Sequence, residues 1–269
     1  MLESLDLDCG RECGRIVGFL RDYAEGAGRP RFVVGLSGGV DSSLATILAA
    51  RAVGPENVKA MMLPHETSSP ESEEDARLVI DKLGVASTRF EITEMVEPLF
   101  CRCPNMDKTR RGNAMARCRM LVLYDQSEGF EGLVLGTSNR TEWLLGYFTL
   151  YGDSAAAIEP LEHLYKCQVR ELAKYVGVPE HIIEKPASAD LWPGQTDEKE
   201  LGFTYDVADQ ILFLLTERDL DVEEIVARGF DSEVVDAVRW HMASTAFKRR
   251  VPPKLGTVDQ ERREVMGGK

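Results

Sequence analysis

Apolar positions along the chain fall alternately into helical spacing and short unbroken runs, separated by glycine, proline and charge. Residues 11–24 put Ile16, Phe19, Leu20 and Tyr23 on one face at helical spacing. After a glycine and proline break at 26–30, residues 31–36 form a short, β-branched run of the kind found in buried strands. The polar stretch 37–43 follows at once, then a helical stretch over 44–53 and a second strand over 58–63. A helix is expected over 70–83, opened by Pro70 and closed by Gly84. Further strands are expected at 88–92 and 132–136, and helices at 113–124, 161–176, 205–217, 221–228 and 231–246, with another beginning within 142–148. Residues 101–112 read as a polar, basic loop, and 186–204 as a loop with no apolar period.

Strands alternating with helices predict an α/β fold with a doubly wound, mostly parallel sheet flanked by helices. In such sheets ligands bind outside the carboxyl ends of the strands. Residues 37–43, 64–69 and 136–142 all fall there. There is no internal repeat, so a single domain is expected over 1–269, with 186–204 as a mobile lid and a polar tail from about residue 254.

Charge narrows the possible partners. The 269 residues hold 32 Lys and Arg against 45 Asp and Glu, a net −13. That argues against non-specific binding to nucleic acid or to an anionic membrane. No apolar run approaches the roughly 20 residues that span a bilayer, and the N-terminus lacks a secretory pattern. The six cysteines (Cys9, Cys13, Cys101, Cys103, Cys118, Cys167) are sparse, which suits a reduced, cytoplasmic protein. Neither Cys9-x3-Cys13 nor Cys101-x-Cys103 has the usual spacing of a zinc pair.

The chemistry concentrates in Ser37-Gly38-Gly39-Val40-Asp41-Ser42-Ser43, between a strand and a helix. Adjacent glycines allow a ligand to approach the backbone, and successive amides with the helix N-terminus favour an anion. Neither the Walker A pattern nor the Rossmann glycine pattern is present. Asp41 would repel phosphate unless a cation bridged them, which points to Mg²⁺. A tight turn whose aspartate caps the helix is the plainer reading.

With its strand and helix, this segment resembles the pyrophosphate loop of N-type ATP pyrophosphatases, which implies cleavage of ATP between the α- and β-phosphates and an adenylated intermediate. The later segments resemble the ammonia-dependent NAD synthetase family: 135–142 (LGTSNRTE), 145–149, Tyr151-Gly152-Asp153, 158–161, Gly112-Asn113 with 117–120, 186–191, 202–206 and 247–250. The resemblance covers about residues 10–253. It implies an adenine nucleotide alpha hydrolase-like fold and amidation of deamido-NAD by ammonia, with ATP giving AMP and pyrophosphate.

The implied roles follow position by position. Gly35, Leu36, Ser37, Gly38, Gly39, Val40, Asp41 and Ser42, with Thr137, Lys166 and Ser188, would bind ATP. Asp41 and Glu142 would hold Mg²⁺. Arg117 and Lys248 would bind deamido-NAD. On sequence alone Lys166 also reads as a solvated helix lysine, Arg117 as a surface ion pair, and Lys248 as part of a basic cluster with Arg249 and Arg250. Three positions depart from the family: Leu150 stands where lysine is usual, Ala157 where aspartate is usual, and Phe247 where histidine precedes Lys248. All three belong to the dinucleotide half.

No protein nucleophile is required, and no catalytic residue is assigned; Asp153 and Asp190 are candidate general bases. The resemblance further implies a homodimer and free ammonia as nitrogen source. The alternatives are another ligase of the ATP pyrophosphatase type, such as a tRNA thiolase or GMP synthetase, and a nucleotide-binding regulator with a degraded substrate site.

Overall fold

A computed structural model describes residues 5–192, 194–253 and 255. Four parallel strands form the sheet, in the order β3-β2-β1-β4: β1 (Phe32–Gly35), β2 (Val58–Met62), β3 (Ala86–Arg89) and β4 (Leu133–Leu135). The chain steps outward from β1 through β2 to β3, then returns to the far side of β1 as β4. The order therefore reverses between β1 and β4, which opens a crevice at their carboxyl ends.

The strand pattern divides the core. Phe32 and Val34 of β1, with Val58, Ala60 and Met62 of β2, pack in one cluster with α1 (Cys9–Gly26), α2 (Val40–Val53), α3 (Pro70–Leu83) and α7 (Lys166–Val176). Val33 and Met61 point the other way, into a second cluster with α4 (Thr93–Arg102) and α5 (Lys108–Gly129). This is the period-2 alternation of a sheet covered on both faces. A third cluster joins α10 (Tyr205–Thr216), α11 (Val222–Ala227) and α12 (Ser232–Ser244) to Leu145. The short helices α6 (Arg140–Leu145), α8 (Glu180–Glu184) and α9 (Asp197–Leu201) fill the connections.

Helix α2 is buried on nearly all sides, with Leu44, Ala45, Ile47, Leu48 and Ala49 almost wholly enclosed. Two of its buried hydroxyls return to the backbone: Ser43 Oγ donates to Gly39 O at 2.7 Å and Thr46 Oγ1 to Ser42 O at 2.7 Å. A helix enclosed all round must be small and apolar, as this one is.

Several boundaries differ from the sequence reading. Helix α2 begins at Val40, so the expected loop residues 40–43 form its first turn. Strand β3 lies at 86–89 because it is a polar edge strand; the apolar Ile92 expected in it is buried just before α4. Residues 101–112 are largely helical: α4 runs to Arg102 despite Pro98, and α5 starts at Lys108, capped by the Asp107 carboxylate. The segment 186–204 carries α9. On α1, Ile16 and Leu20 are buried, whereas Phe19 and Tyr23 are exposed. Most of the expected tail beyond 254 lies outside the described residues, as does Pro193 of the expected lid.

Candidate active site

The crevice is a cleft of about 980 Å³, at the upper end of the range for small-ligand pockets. Its floor is the turn from β1 into α2. Gly38 adopts φ +79°, and a Cβ there would lie 2.2 Å from Ser72 O at the start of α3. Only glycine fits both conditions. Ser37 and Ser42 brace the turn, with their hydroxyl oxygens 3.0 Å apart and Ser37 N donating to Ser42 Oγ at 3.2 Å. The N-cap of α2 is Gly39, which has no side chain to satisfy the first-turn amides. Those amides remain free for an anion at the cleft floor.

The turn after β4 meets this floor. Asn139 caps α6, its Oδ1 accepting from Glu142 N at 3.0 Å, while its Nδ2 donates to Asp41 Oδ1 at 2.8 Å. One amide thus ties the Asp41 carboxylate to the backbone of Glu142. Between them lies Lys166, the first residue of α7, with 2% of its surface exposed. Its Nζ donates to Asp41 Oδ2 at 2.6 Å and to Glu142 Oε1 at 2.9 Å, and stands 5.0 Å from the centre of the Tyr205 ring. A solvated helix lysine is therefore excluded. Buried Asp209 locks the frame: it accepts from Thr141 Oγ1 at 2.5 Å and from Cys167 N at 2.8 Å, and Thr141 Oγ1 accepts from Lys166 N at 3.0 Å.

The cluster carries excess negative charge. Burial pushes Glu142 up to about 7, with Lys166 opposing and Asp41 adding to the rise. Burial also works against the Lys166 charge, but Asp41 and Glu142 outweigh it and hold that ammonium charged above the ordinary lysine value. One ammonium cannot neutralise two carboxylates, so Glu142 is the group that takes up a proton. Asp197 stands near, raised by burial, and accepts from Tyr205 Oη at 2.9 Å and Tyr147 Oη at 3.3 Å. Three carboxylates against one ammonium leave room for a divalent cation, and carboxylate oxygens beside an anion site suit Mg²⁺.

The cleft brings together residues 35–42, Thr137, Glu142, Lys166, Ser188 and Lys248. Ser188 Oγ accepts from Asp190 N at 3.0 Å, and Asp190, at φ +50°, accepts from Ser69 N at 2.9 Å. Leu191 packs against α5, so closely that a Cβ on Gly112 would lie 2.7 Å from its Cδ1. Lys248 Nζ donates to Gly146 O and Phe148 O, both at 2.8 Å. Arg117, Leu150, Ala157 and Phe247 are not among the cleft walls. Arg117 is exposed and donates to Leu150 O at 3.2 and 3.3 Å; Phe247 is 64% exposed; Ala157 N donates to Val134 O beside the sheet.

Sequence reasoning gave no role to Asn139, Arg119, Asp197, Tyr205 or Asp209. Arg119 lines the cleft and donates to Leu63 O at 3.0 Å, and burial lowers its pKa. The signals available were position alone: Asn139 lies within the 135–142 segment and Arg119 within 117–120.

A family model described as NAD synthase matches residues 12–252. A protein named NH(3)-dependent NAD(+) synthetase from Trichlorobacter lovleyi is 52% identical over 237 residues, covering 88% of this chain and 87% of its own. The structure resembles an NMN synthetase from Francisella tularensis, with a TM-score of 0.83 and 32% identity over 94% of this chain and 100% of that one. It also resembles an NH3-dependent NAD synthetase from Campylobacter jejuni, with a TM-score of 0.80 and 31% identity over 93% of this chain and 100% of that one.

Proposed function

The chain belongs to the NAD synthase family, and from that premise we propose that it converts deamido-NAD to NAD, with ATP as co-substrate and ammonia as nitrogen source. One observation carries the assignment of chemistry to residues: the free amides opening α2 and the Asp41–Lys166–Glu142 cluster face a single cleft.

A nicotinate carboxylate is a poor electrophile. One of its oxygens attacks the α-phosphorus of ATP, and the bond to pyrophosphate breaks. Ammonia then attacks the acyl carbon, the bond to AMP breaks, and a proton leaves the nitrogen. The amides and hydroxyls of 37–42 cradle the phosphates. Thr137 and Ser188 contact ATP from the walls of the cleft. Lys166 directs its fixed charge at the phosphates, and Asp41 and Glu142 are the residues to hold Mg²⁺. When bound, Mg²⁺ supplies neutralisation of the charge on the departing pyrophosphate. Asp153 and Asp190 both line the cleft as candidate proton acceptors, and the Asp153 pKa is raised.

Lys248 serves the dinucleotide from within the cleft. Arg117, Leu150, Ala157 and Phe247 lie outside it, which fits a dinucleotide site completed at a subunit boundary. Exposed Leu121 and Tyr124 on α5 suit a homodimer interface; α1, with exposed Phe19 and Tyr23, covers the opposite face of the sheet. The segment 186–204 acts as a lid that excludes water from the adenylate. Among the described residues no helix is long and apolar enough to cross a membrane; we place the protein in the cytoplasm, where its unpaired thiols stay reduced.

The test is steady-state turnover. NAD, AMP and pyrophosphate are expected from deamido-NAD, ATP, Mg²⁺ and ammonium, and not when glutamine replaces ammonium. Nicotinate mononucleotide, run beside deamido-NAD, reads the effect of the three departures. Pyrophosphate release that ignores deamido-NAD would overturn the proposal.

A further inference from the structure

Among the described residues two buried side-chain polar atoms have no hydrogen-bond partner: Glu159 Oε1, against Gly136 of the cleft wall, and His65 Nε2, which lies apart from this machinery. His65 lies after β2, 6% exposed, in a turn where Ser68 N donates to its carbonyl at 2.9 Å. Its Nδ1 lies 2.9 Å from Thr67 Oγ1, to which a protonated Nδ1 donates, leaving the ring lone pair on Nε2. Its Nε2 is buried without a hydrogen-bond partner. Glu97 Oε1, on α4, stands 3.9 Å away, too far for a hydrogen bond. A protonated Nε2 has no acceptor within reach, and an unprotonated one aims its lone pair at a carboxylate. In either state the atom is unsatisfied, which is costly when buried.

The neighbouring donors explain the gap. One ligand atom each from His65, Glu66 and Glu97 all lie within 4.8 Å of one another. Two ligands bound at about 2.0–2.2 Å to one ion stand no more than about 4.4 Å apart. The 3.9 Å between His65 and Glu97 fits that span, and exposed Glu66 needs only a side-chain adjustment. The surroundings hold the donors in place: Glu66 N donates to Thr93 Oγ1 at 2.9 Å, Thr93 Oγ1 donates to Glu91 Oε1 at 3.0 Å, and Phe100 packs edge-on against the imidazole.

We propose that His65, Glu66 and Glu97 bind a divalent transition-metal ion of the Zn²⁺ class, separate from the Asp41 and Glu142 site. One imidazole and two carboxylates neutralise such an ion, and imidazole favours Zn²⁺ over Mg²⁺. The ion ties the loop 63–69 to α4. That loop also supplies cleft walls and, through Ser69 N and Asp190, an anchor for the segment 186–192. The ion's part is structural.

The test is calorimetric titration of the full chain with Zn²⁺ in excess Mg²⁺, with Co²⁺ as the spectroscopic probe. The wild type is expected to bind one equivalent more than His65→Ala. Glu66→Gln, a surface change that leaves folding intact, and Glu97→Gln should each weaken binding by more than the roughly tenfold effect of an outer-shell change. Co²⁺ should show ligand-field bands without a thiolate charge-transfer band. Equal stoichiometry and affinity in all four proteins would overturn the proposal. So would a thiolate band, which would place the ion on cysteine.

Discussion

Replacing Glu142 with glutamine separates charge from packing in the proposed metal cluster. In the folded protein the Glu142 pKa rises from 4.5 to about 7. A carboxyl whose folded pKa lies above its unfolded value holds its proton more tightly when folded. Its ionisation therefore costs nothing below pH 4.5, costs progressively more up to pH 7, and has its full effect above that. At about 1.4 kcal/mol per pH unit the full effect is about 3 kcal/mol. Glutamine removes it and can still accept from Lys166, whose attraction for the carboxylate is already contained in the shift. The net expectation for Glu142→Gln is a gain of roughly 2–3 kcal/mol at pH 8 and none near pH 4.5. Urea unfolding of both proteins with chelator, at pH 5 and pH 8, measures this, and turnover should fall sharply in the same variant. A variant less stable than wild type at pH 8 would refute the charge argument.

Lys166→Met leaves two buried carboxylates uncompensated, a loss of about 3–5 kcal/mol, or roughly 6–20 °C in Tm for a chain of this size. Thermal scans should show a smaller loss at pH 5.5, where Glu142 is protonated, and an equal loss at both pH values would contradict the pairing. Gly38→Ala meets Ser72 O and a positive φ, so it should cost about 1–3 kcal/mol and weaken ATP binding in equilibrium dialysis; unchanged binding would show the turn to be tolerant. Asp190→Ala removes the acceptor of Ser69 N, worth about 1 kcal/mol, so opening of the lid and its proteolysis without ATP should rise about fivefold. Cleavage at the wild-type rate would rule out that anchor.

Local sequence carried much of this molecule. Strands β1 and β4 are unbroken β-branched or apolar runs, β2 is one broken only by Lys59, and Gly38 and Asp41 sit in a pattern whose chemistry is readable without a structure. The helices hidden from view were those without a visible apolar stripe. The first turns of α5 are Lys108-Thr-Arg-Arg, which face solvent and cleft, and α4 contains Pro98. The state of Lys166 was equally invisible, because its two acids come from positions 125 and 24 residues away. Asn139 and Asp209 gain meaning only when α6, α7 and α10 converge. Arg117, Leu150, Ala157 and Phe247 belong together by resemblance, yet their placement outside the cleft is set by tertiary structure.

Transfer of oxygen from acid to nucleotide is the most direct reading of the chemistry. Deamido-NAD labelled with ¹⁸O in the nicotinate carboxylate is turned over with ATP, Mg²⁺ and ammonium, and the AMP is analysed by mass spectrometry. An adenylated intermediate places one labelled oxygen in each AMP formed. AMP released without label, alongside NAD, would mean that the acid is activated by some other route.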